Sequence, residues 1–80
     1  MRIQLYDRGL LPGKQLFTDL QALCQRLQVD YDPEYIKDMT RVYAMGLQGN
    51  TILLIDGEVV LIDKYPSIKE LENILNDYRK

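Results

Sequence analysis

The chain is organised around a predicted β-hairpin over Thr51–Asp63, which reads TILLIDGEVVLID. Two apolar runs rich in Ile, Leu and Val flank the pair Asp56-Gly57. An Asp-Gly pair between such runs is a strong hairpin signal, because a type I′ turn needs positive φ at both central residues. Neither run alternates apolar and polar residues, which favours strands that are covered on both faces of a sheet. The remaining segments must then supply that cover.

Length and composition narrow the classes of protein to consider. The chain has 80 residues, of which 46% are hydrophobic and 28% charged, as is ordinary for one globular domain over residues 1–80. Its apolar runs are too short for a membrane span, and its N-terminus lacks the apolar core of a signal peptide. We therefore expect no membrane association, and a cytoplasmic location by default.

Charge and cysteine content remove further functions. The net charge is −2, and the 10 basic and 12 acidic residues are interspersed, so we expect no nucleic-acid partner. The single cysteine, Cys24, excludes an intramolecular disulfide, and the absence of histidine excludes Cys/His zinc sites and His-based catalysis. We expect neither a cofactor nor a metal site.

Apolar periodicity predicts the N-terminal elements. Arg2–Tyr6 alternates as a strand with Ile3 and Leu5 on one face, and Asp7–Gly13 is predicted to be a loop, since it contains two glycines and a proline. Apolar residues three and four apart then predict an amphipathic helix over Lys14–Gln28.

The middle of the chain is less regular. We predict a short edge strand within Val29–Ile36, because Pro33 cannot donate to a central ladder. A short helix is predicted over Asp38–Met45, with Asp38 as its N-cap. The residues assigned to its inner side are Met39, Val42 and Tyr43.

The C-terminal segment carries a clear helix start. Asp63–Pro66 is predicted to connect the hairpin to a helix that begins at Ser67 and continues through Tyr78. Ser67 and Glu70 have the spacing of a capping box, in which each side chain satisfies a free backbone amide. The predicted order is βαβα followed by ββα.

These residues resemble the small thioredoxin-like family called redox-active disulfide protein 2. The resemblance covers nearly the whole chain and is carried by the opening MRIQLY, by Gly9, and by the segments Ile36–Met39, Met45–Leu47 and Ile55–Glu58. It implies an α/β thioredoxin-like fold, βαβα-ββα, with a four-stranded mixed sheet and helices on both faces. The first and third strands are implied to be central.

The departures from this family bear on function. The family carries a C-x-x-C motif where this chain reads Leu10-Leu11-Pro12-Gly13, so Leu10 and Gly13 replace both cysteines and dithiol exchange through that motif is lost. The cis-proline that such proteins place before the third strand corresponds to Thr51 here. We expect a trans bond at that position.

The altered motif is the first candidate site. We predict a protein-binding surface formed by the rim residues Leu10, Leu11, Pro12, Gly13, Gly49, Asn50 and Thr51. Exposed paired leucines are typical of contact surfaces, whereas the alternative is that the leucines cap the core. The loop offers no nucleophile or general base, so we predict no catalytic residues there.

Cys24 is the second candidate. Its position on the face shared by Leu20 and Leu27 predicts a buried thiol. Two alternatives stay open at this point: a glutaredoxin-like monothiol redox activity through Cys24, and dimerisation by an intermolecular disulfide.

Tyrosines and carboxylates form two further clusters. Tyr43 and Tyr78 are predicted to pack between helix and sheet, while other tyrosines lie in loops near acidic residues and are predicted to finish the rim of the core. The acidic segment Asp30–Asp38 is predicted to be a solvated edge in preference to a divalent-cation site.

Taken together, the sequence predicts a degenerate thioredoxin-like protein without dithiol chemistry that serves as a protein-interaction module. Its protein partner is unidentified, and the chain itself is expected to be a monomer or weak homodimer. Loss of both motif cysteines favours a non-enzymatic role. An enzymatic activity through Cys24 stays open as the alternative.

Overall fold

The computed structural model describes residues 1–28 and 32–79. Four strands and three helices follow one another in the order predicted from the sequence. Their bounds are β1 Ile3–Asp7, α1 Leu11–Arg26, β2 Glu34–Ile36, α2 Thr40–Ala44, β3 Thr51–Ile55, β4 Glu58–Ile62 and α3 Ile68–Tyr78.

The strands form one mixed sheet in the order β2-β1-β3-β4. β1 runs parallel to β2 and antiparallel to β3, and β3 pairs antiparallel with β4. β1 and β3 are therefore central, which confirms the implied arrangement. All five residues of each central strand are buried.

The hairpin turn has the predicted conformation. Asp56 has φ 53° and Gly57 has φ 81°, as a type I′ turn requires. The expectation of two covered faces is confirmed for β3 but wrong for β4, where Val59 and Ile62 are exposed. β4 is an edge strand, and a register shift leaves Val60 outside the ladder, as is common where edge strands avoid further pairing.

Helices cover both faces of the sheet with two separate apolar clusters. On one face α1 and α3 pack against Ile3, Leu5 and Leu53. On the other face the short helix α2 places Val42 against Tyr6 and other sheet residues. Because α2 has only five residues, it covers less of its face than the other two helices cover of theirs.

Helix α1 begins earlier than predicted. The sequence predicted a loop through Gly13 and a helix from Lys14, but the helix starts at Leu11 and ends at Arg26. Pro12 is compatible with this start, because the first turn leaves its amides without intrahelical acceptors and proline has the helical φ already. The residues Leu11, Pro12 and Gly13 thus form the first turn of α1.

Two predictions for α2 are wrong. The residue at the N-cap position is Met39, not Asp38, although Asp38 Oδ1 accepts a hydrogen bond from Thr40 N at 3.0 Å. Tyr43 was assigned to the inner side but is 43% exposed, whereas Met39 and Val42 are buried as predicted.

The edge strand β2 is shorter than the segment predicted to contain it. It spans three residues at the predicted edge, and Pro33 precedes it. The first part of that prediction, residues 29–31, lies outside the described residues.

At the C-terminus, α3 begins with the predicted capping box. The Ser67 hydroxyl accepts from Glu70 N, and the Glu70 carboxylate accepts from Ser67 N. Within residues 1–28 and 32–79, every helix is too short or too polar to cross a bilayer.

Candidate functional site

The structure brings the two predicted segments of the rim together at one end of the sheet. One segment is the first turn of α1, and the other precedes and begins β3. Arg8 precedes the first segment by two residues, and its N donates to Asn50 O of the second segment at 3.0 Å. This backbone hydrogen bond ties the loop that leads into α1 to the turn before β3.

Leu10 and Leu11 point away from the core. Leu10 is 48% exposed and Leu11 is 79% exposed, while Pro12 beside them is also exposed. The alternative in which both leucines cap the core therefore does not describe this structure. The two adjacent leucines therefore present apolar area to solvent at the start of α1.

Two rim residues lie inside the molecule instead. Gly13 is buried in the first turn of α1, and Thr51 is 2% exposed. A partner cannot reach either residue in this conformation. Both residues contact Asp7, and through this contact they position the exposed rim residues.

Asp7 is a buried carboxylate beneath the rim that the sequence analysis placed in a loop. It is the last residue of β1 and is 0% exposed. Its Oδ2 accepts from Gly9 N at 2.9 Å and from the Tyr35 hydroxyl at 2.6 Å, while Oδ1 accepts from Thr51 Oγ1 at 2.7 Å. These bonds tie together β1, β2 and β3.

The network reaches the surface through a second tyrosine. Thr51 Oγ1 and the Tyr65 hydroxyl are 2.8 Å apart. Tyr65 is 43% exposed, so the chain of hydrogen bonds runs from the buried Asp7 to solvent. A buried carboxylate is tolerated only when it is hydrogen-bonded in this way.

Gly13 is required by this network. A Cβ built on Gly13 overlaps the carboxylate of Asp7, and its backbone φ lies outside the left-handed region. The need for glycine is therefore steric and not conformational. The contact also places a carboxylate beside the first turn of α1, where the helix dipole favours negative charge and no side chain of that turn is acidic.

A periodicity argument could have located Asp7. In a strand, residues two apart share a face, so Ile3, Leu5 and Asp7 point to the same side. Asp7 was not recognised as a strand residue because the predicted strand ended at Tyr6. The partners Tyr35 and Tyr65 carry no comparable signal, because their contacts depend on the path of the chain through the sheet.

The second rim segment is held by Asp63. Asp63 Oδ1 accepts from Asn50 N at 2.8 Å and from Thr51 N at 2.9 Å, and Asp63 N donates to Thr51 O at 2.8 Å. Gly49 has φ 146°, and a Cβ there would lie 2.9 Å from Ile62 Cγ2. The turn before β3 is thus fixed by contacts with the end of β4.

A surface cavity of about 440 Å³ lies next to this turn. Its lining includes Arg8, Leu47, Gln48 and Asn50, and the Tyr43 hydroxyl at its edge donates to Gly49 O at 3.0 Å. The cavity adjoins the second rim segment, since Gly49 and Asn50 are among its lining residues.

Cys24 lies away from the rim, in the apolar cluster under α1. It is 3% exposed, as predicted, and packs among Leu20 and other core residues. Burial, and after it the nearby Asp32 carboxylate, raises the pKa of the Cys24 thiol above its ordinary value. Both effects disfavour the thiolate, which is the reactive form.

The acidic segment shows no convergence of ligands. Asp32, Glu34 and Asp38 are exposed, and Asp30 lies outside the described residues. Among the residues that the structure describes, no group of three His, Cys, Asp or Glu side chains is placed to hold a metal ion. Glu34 instead pairs with a cation from the neighbouring strand region, since its Oε1 lies 3.3 Å from Arg2 Nε.

Comparison with known proteins supports the fold assignment. The chain is 29% identical over 76 residues to a thioredoxin of Methanothermobacter thermautotrophicus, a match that covers 95% of this chain and 99% of the relative. No protein-family model matches the chain. The similarity and the architecture together support a thioredoxin-like protein, while the narrower resemblance drawn from the sequence stays a prediction. All described peptide bonds are trans, including the bond before Thr51, as predicted.

Proposed function

We propose that this thioredoxin-like chain lacks dithiol redox chemistry and acts as a protein-interaction module through the exposed part of the rim. The observation that carries the proposal is the exposure of Leu10 and Leu11, 48% and 79%, at the first turn of α1. Dithiol exchange needs two thiols, and the chain has one cysteine.

The surroundings of the leucines support a binding role. The backbone bond between Arg8 and Asn50 and the Asp7 network hold the rim in place without a partner. A surface that is already ordered loses little conformational entropy on association, which favours affinity. The adjoining cavity lined by Leu47 and Gln48 can receive a side chain of the partner.

The monothiol alternative receives no support from the position of Cys24. A glutaredoxin-like activity needs an accessible thiolate, whereas this thiol is 3% exposed and its pKa is raised by burial. The same burial removes the basis for a disulfide between two folded copies.

A capture experiment with matched variants tests the proposal. The immobilised chain is compared with a rim variant, Leu10→Ser with Leu11→Ser, and with a control variant, Val59→Ser with Ile68→Ser. The control removes apolar area that is also exposed, 40% and 43%, but on β4 and α3. We expect proteins from the native lysate of the source organism that are retained by the parent and the control and lost by the rim variant.

Two results would contradict the proposal. One is the absence of any specifically retained protein. The other is a set of retained proteins that the rim variant binds as well as the parent does, since this would place the contact surface elsewhere. Circular dichroism of the three proteins establishes that each is folded.

A further inference from the structure

A second cavity lies at the opposite end of the sheet from the rim, on the face covered by α2. It has a volume of about 450 Å³, within the range of roughly 300–1,000 Å³ that is usual for small-molecule sites. We call it the α2-face cavity. Its floor is formed by Gln4, Tyr6 and Leu54, and its walls by residues of α2 and of the hairpin turn.

Two buried polar side chains on the floor lack partners in the described protein. Gln4 is 6% exposed and Tyr6 is 2% exposed, yet no described side-chain hydrogen bond involves either. Among the described residues, every fully buried side-chain nitrogen or oxygen has a hydrogen-bond partner, so the Gln4 amide and the Tyr6 hydroxyl are accessible from the cavity that both residues line. An amide and a hydroxyl that face a recess are available to hydrogen-bond a ligand with complementary groups.

The lining also supplies apolar area and two cations. Met45 and Leu54 line the cavity, as do Arg41 of α2 and Arg2. Among the described residues Arg2 is ion-paired with Glu34, whereas Arg41 makes no ion pair. A guanidinium binds a carboxylate through two parallel hydrogen bonds, which makes it a natural partner for that group.

We propose that the α2-face cavity binds a small organic monocarboxylate that has a hydrogen-bonding group at its far end. The carboxylate pairs with Arg41, the apolar body lies against Met45 and Leu54, and the far end bonds to Gln4 and Tyr6. The carboxylate of Asp56 also lines the cavity and disfavours a ligand with a second negative charge. This site is independent of the rim and of the proposed partner.

An NMR titration of the full chain with 4-hydroxybenzoate at constant ionic strength tests the site. We expect saturable shifts of the Gln4 side-chain amide and of the Met45 and Leu54 backbone amides. Arg41→Gln removes the charged partner and should weaken binding about tenfold. Gln4→Leu should weaken binding as well.

Matched probes and variants make the result specific. Arg79→Gln removes an exposed cation at the C-cap of α3, a helix that packs on the other face, and should leave the affinity unchanged. The neutral 4-hydroxybenzamide should bind about tenfold more weakly than the acid, because it lacks the charge that Arg41 recognises.

Three outcomes would overturn the inference. The first is the absence of saturable shifts up to roughly 10 mM ligand, a concentration at which a ligand of this size should bind a formed site. The second is an affinity unchanged by Arg41→Gln, a surface substitution that leaves the fold intact. The third is an identical set of shifts with inorganic phosphate, which would show recognition of charge alone.

Discussion

Among single residues, Asp7 and Gly13 form the contact on which the packing beneath the rim depends. The carboxylate is fully buried, accepts three hydrogen bonds, and occupies the space that a side chain at position 13 would need. Any side chain at position 13 would meet the same carboxylate, so the packing beneath the first turn of α1 favours glycine there.

Gly13→Ala should destabilise the protein, although alanine is the better helix former. Intrinsic propensity favours alanine over glycine by about 1 kcal/mol, but overpacking against a buried group costs roughly 1–3 kcal/mol. We expect the steric effect to dominate, because Asp7 is held by its hydrogen bonds and cannot move aside. Urea denaturation measures the difference in free energy of unfolding.

A double-mutant cycle provides the control for this prediction. In an Asp7→Ala background the overlap is gone, so adding Gly13→Ala should be neutral or stabilising. If Gly13→Ala costs the same free energy in both backgrounds, the contact with Asp7 is not the reason for glycine at this position.

Tyr35 should give the protein a pH dependence in alkaline solution. Burial, and after it the hydrogen bond and charge of Asp7, raises the pKa of Tyr35 to about 12. A raised pKa means that the folded state favours the protonated phenol. The contribution of this group is therefore complete below the ordinary tyrosine pKa of about 10 and is lost as the pH rises toward 12.

Difference spectroscopy of phenolate formation tests the Tyr35 prediction. The native protein should show a component that titrates near 12, and Tyr35→Phe should remove it. Burial and the hydrogen bond to Glu58 also raise the pKa of Tyr78, so Tyr78→Phe is the matched control and should leave the component near 12 in place. A component near 12 that survives in Tyr35→Phe would show that another tyrosine is responsible.

At this scale, sequence reasoning found only part of the site. The exposed leucines were identified through their place in the motif, and Cys24 through its helical spacing. Asp7 was missed because the predicted strand ended one residue early. Its partners Thr51 and Tyr35 come from other strands, and which strands adjoin β1 is a property of the topology.

At the scale of elements, local chemistry decides where helices and turns begin. The type I′ turn and the capping box were both predicted because each depends on residues within four positions of one another. The start of α1 was missed because Pro12 and Gly13 are usual loop residues. Here the proline occupies the first turn, where it is tolerated. Glycine is needed at position 13 because the Asp7 carboxylate occupies the space that a Cβ would take.

The capping box of α3 should contribute measurably to stability. Ser67→Ala removes the acceptor for Glu70 N and should cost about 1 kcal/mol, or a fall in Tm of roughly 4–8 °C for a domain of this size. Ser67→Thr keeps the hydroxyl and serves as the control. Equal melting temperatures for Ser67→Ala and the parent would contradict a role for the cap.

The other half of the capping box has a pH signature. Its hydrogen bonds to Ser67 lower the pKa of the Glu70 carboxyl below its ordinary value. The stabilisation is therefore present above that ordinary value and is lost as the pH falls through the lowered pKa. Between neutral and acidic pH, Glu70→Gln should show a smaller loss of stability than the parent does.

At the scale of the whole molecule, two clusters on opposite faces of one sheet divide the structure. The larger cluster, under α1 and α3, contains the only cysteine and none of the exposed rim residues. The smaller cluster, under α2, leaves part of its sheet face open, and the α2-face cavity lies there. The fold class and the central strands followed from the sequence pattern and the family resemblance, whereas this uneven cover follows from the shortness of α2.

We propose that this thioredoxin-like scaffold has no accessible thiol chemistry. The decisive test is labelling of Cys24 by a thiol reagent, in the native state and in denaturant. We predict negligible labelling of the native protein and rapid labelling after unfolding, because the thiol is buried and its pKa is raised. Rapid labelling of the native protein would contradict the account and restore a single-cysteine redox function as the better explanation.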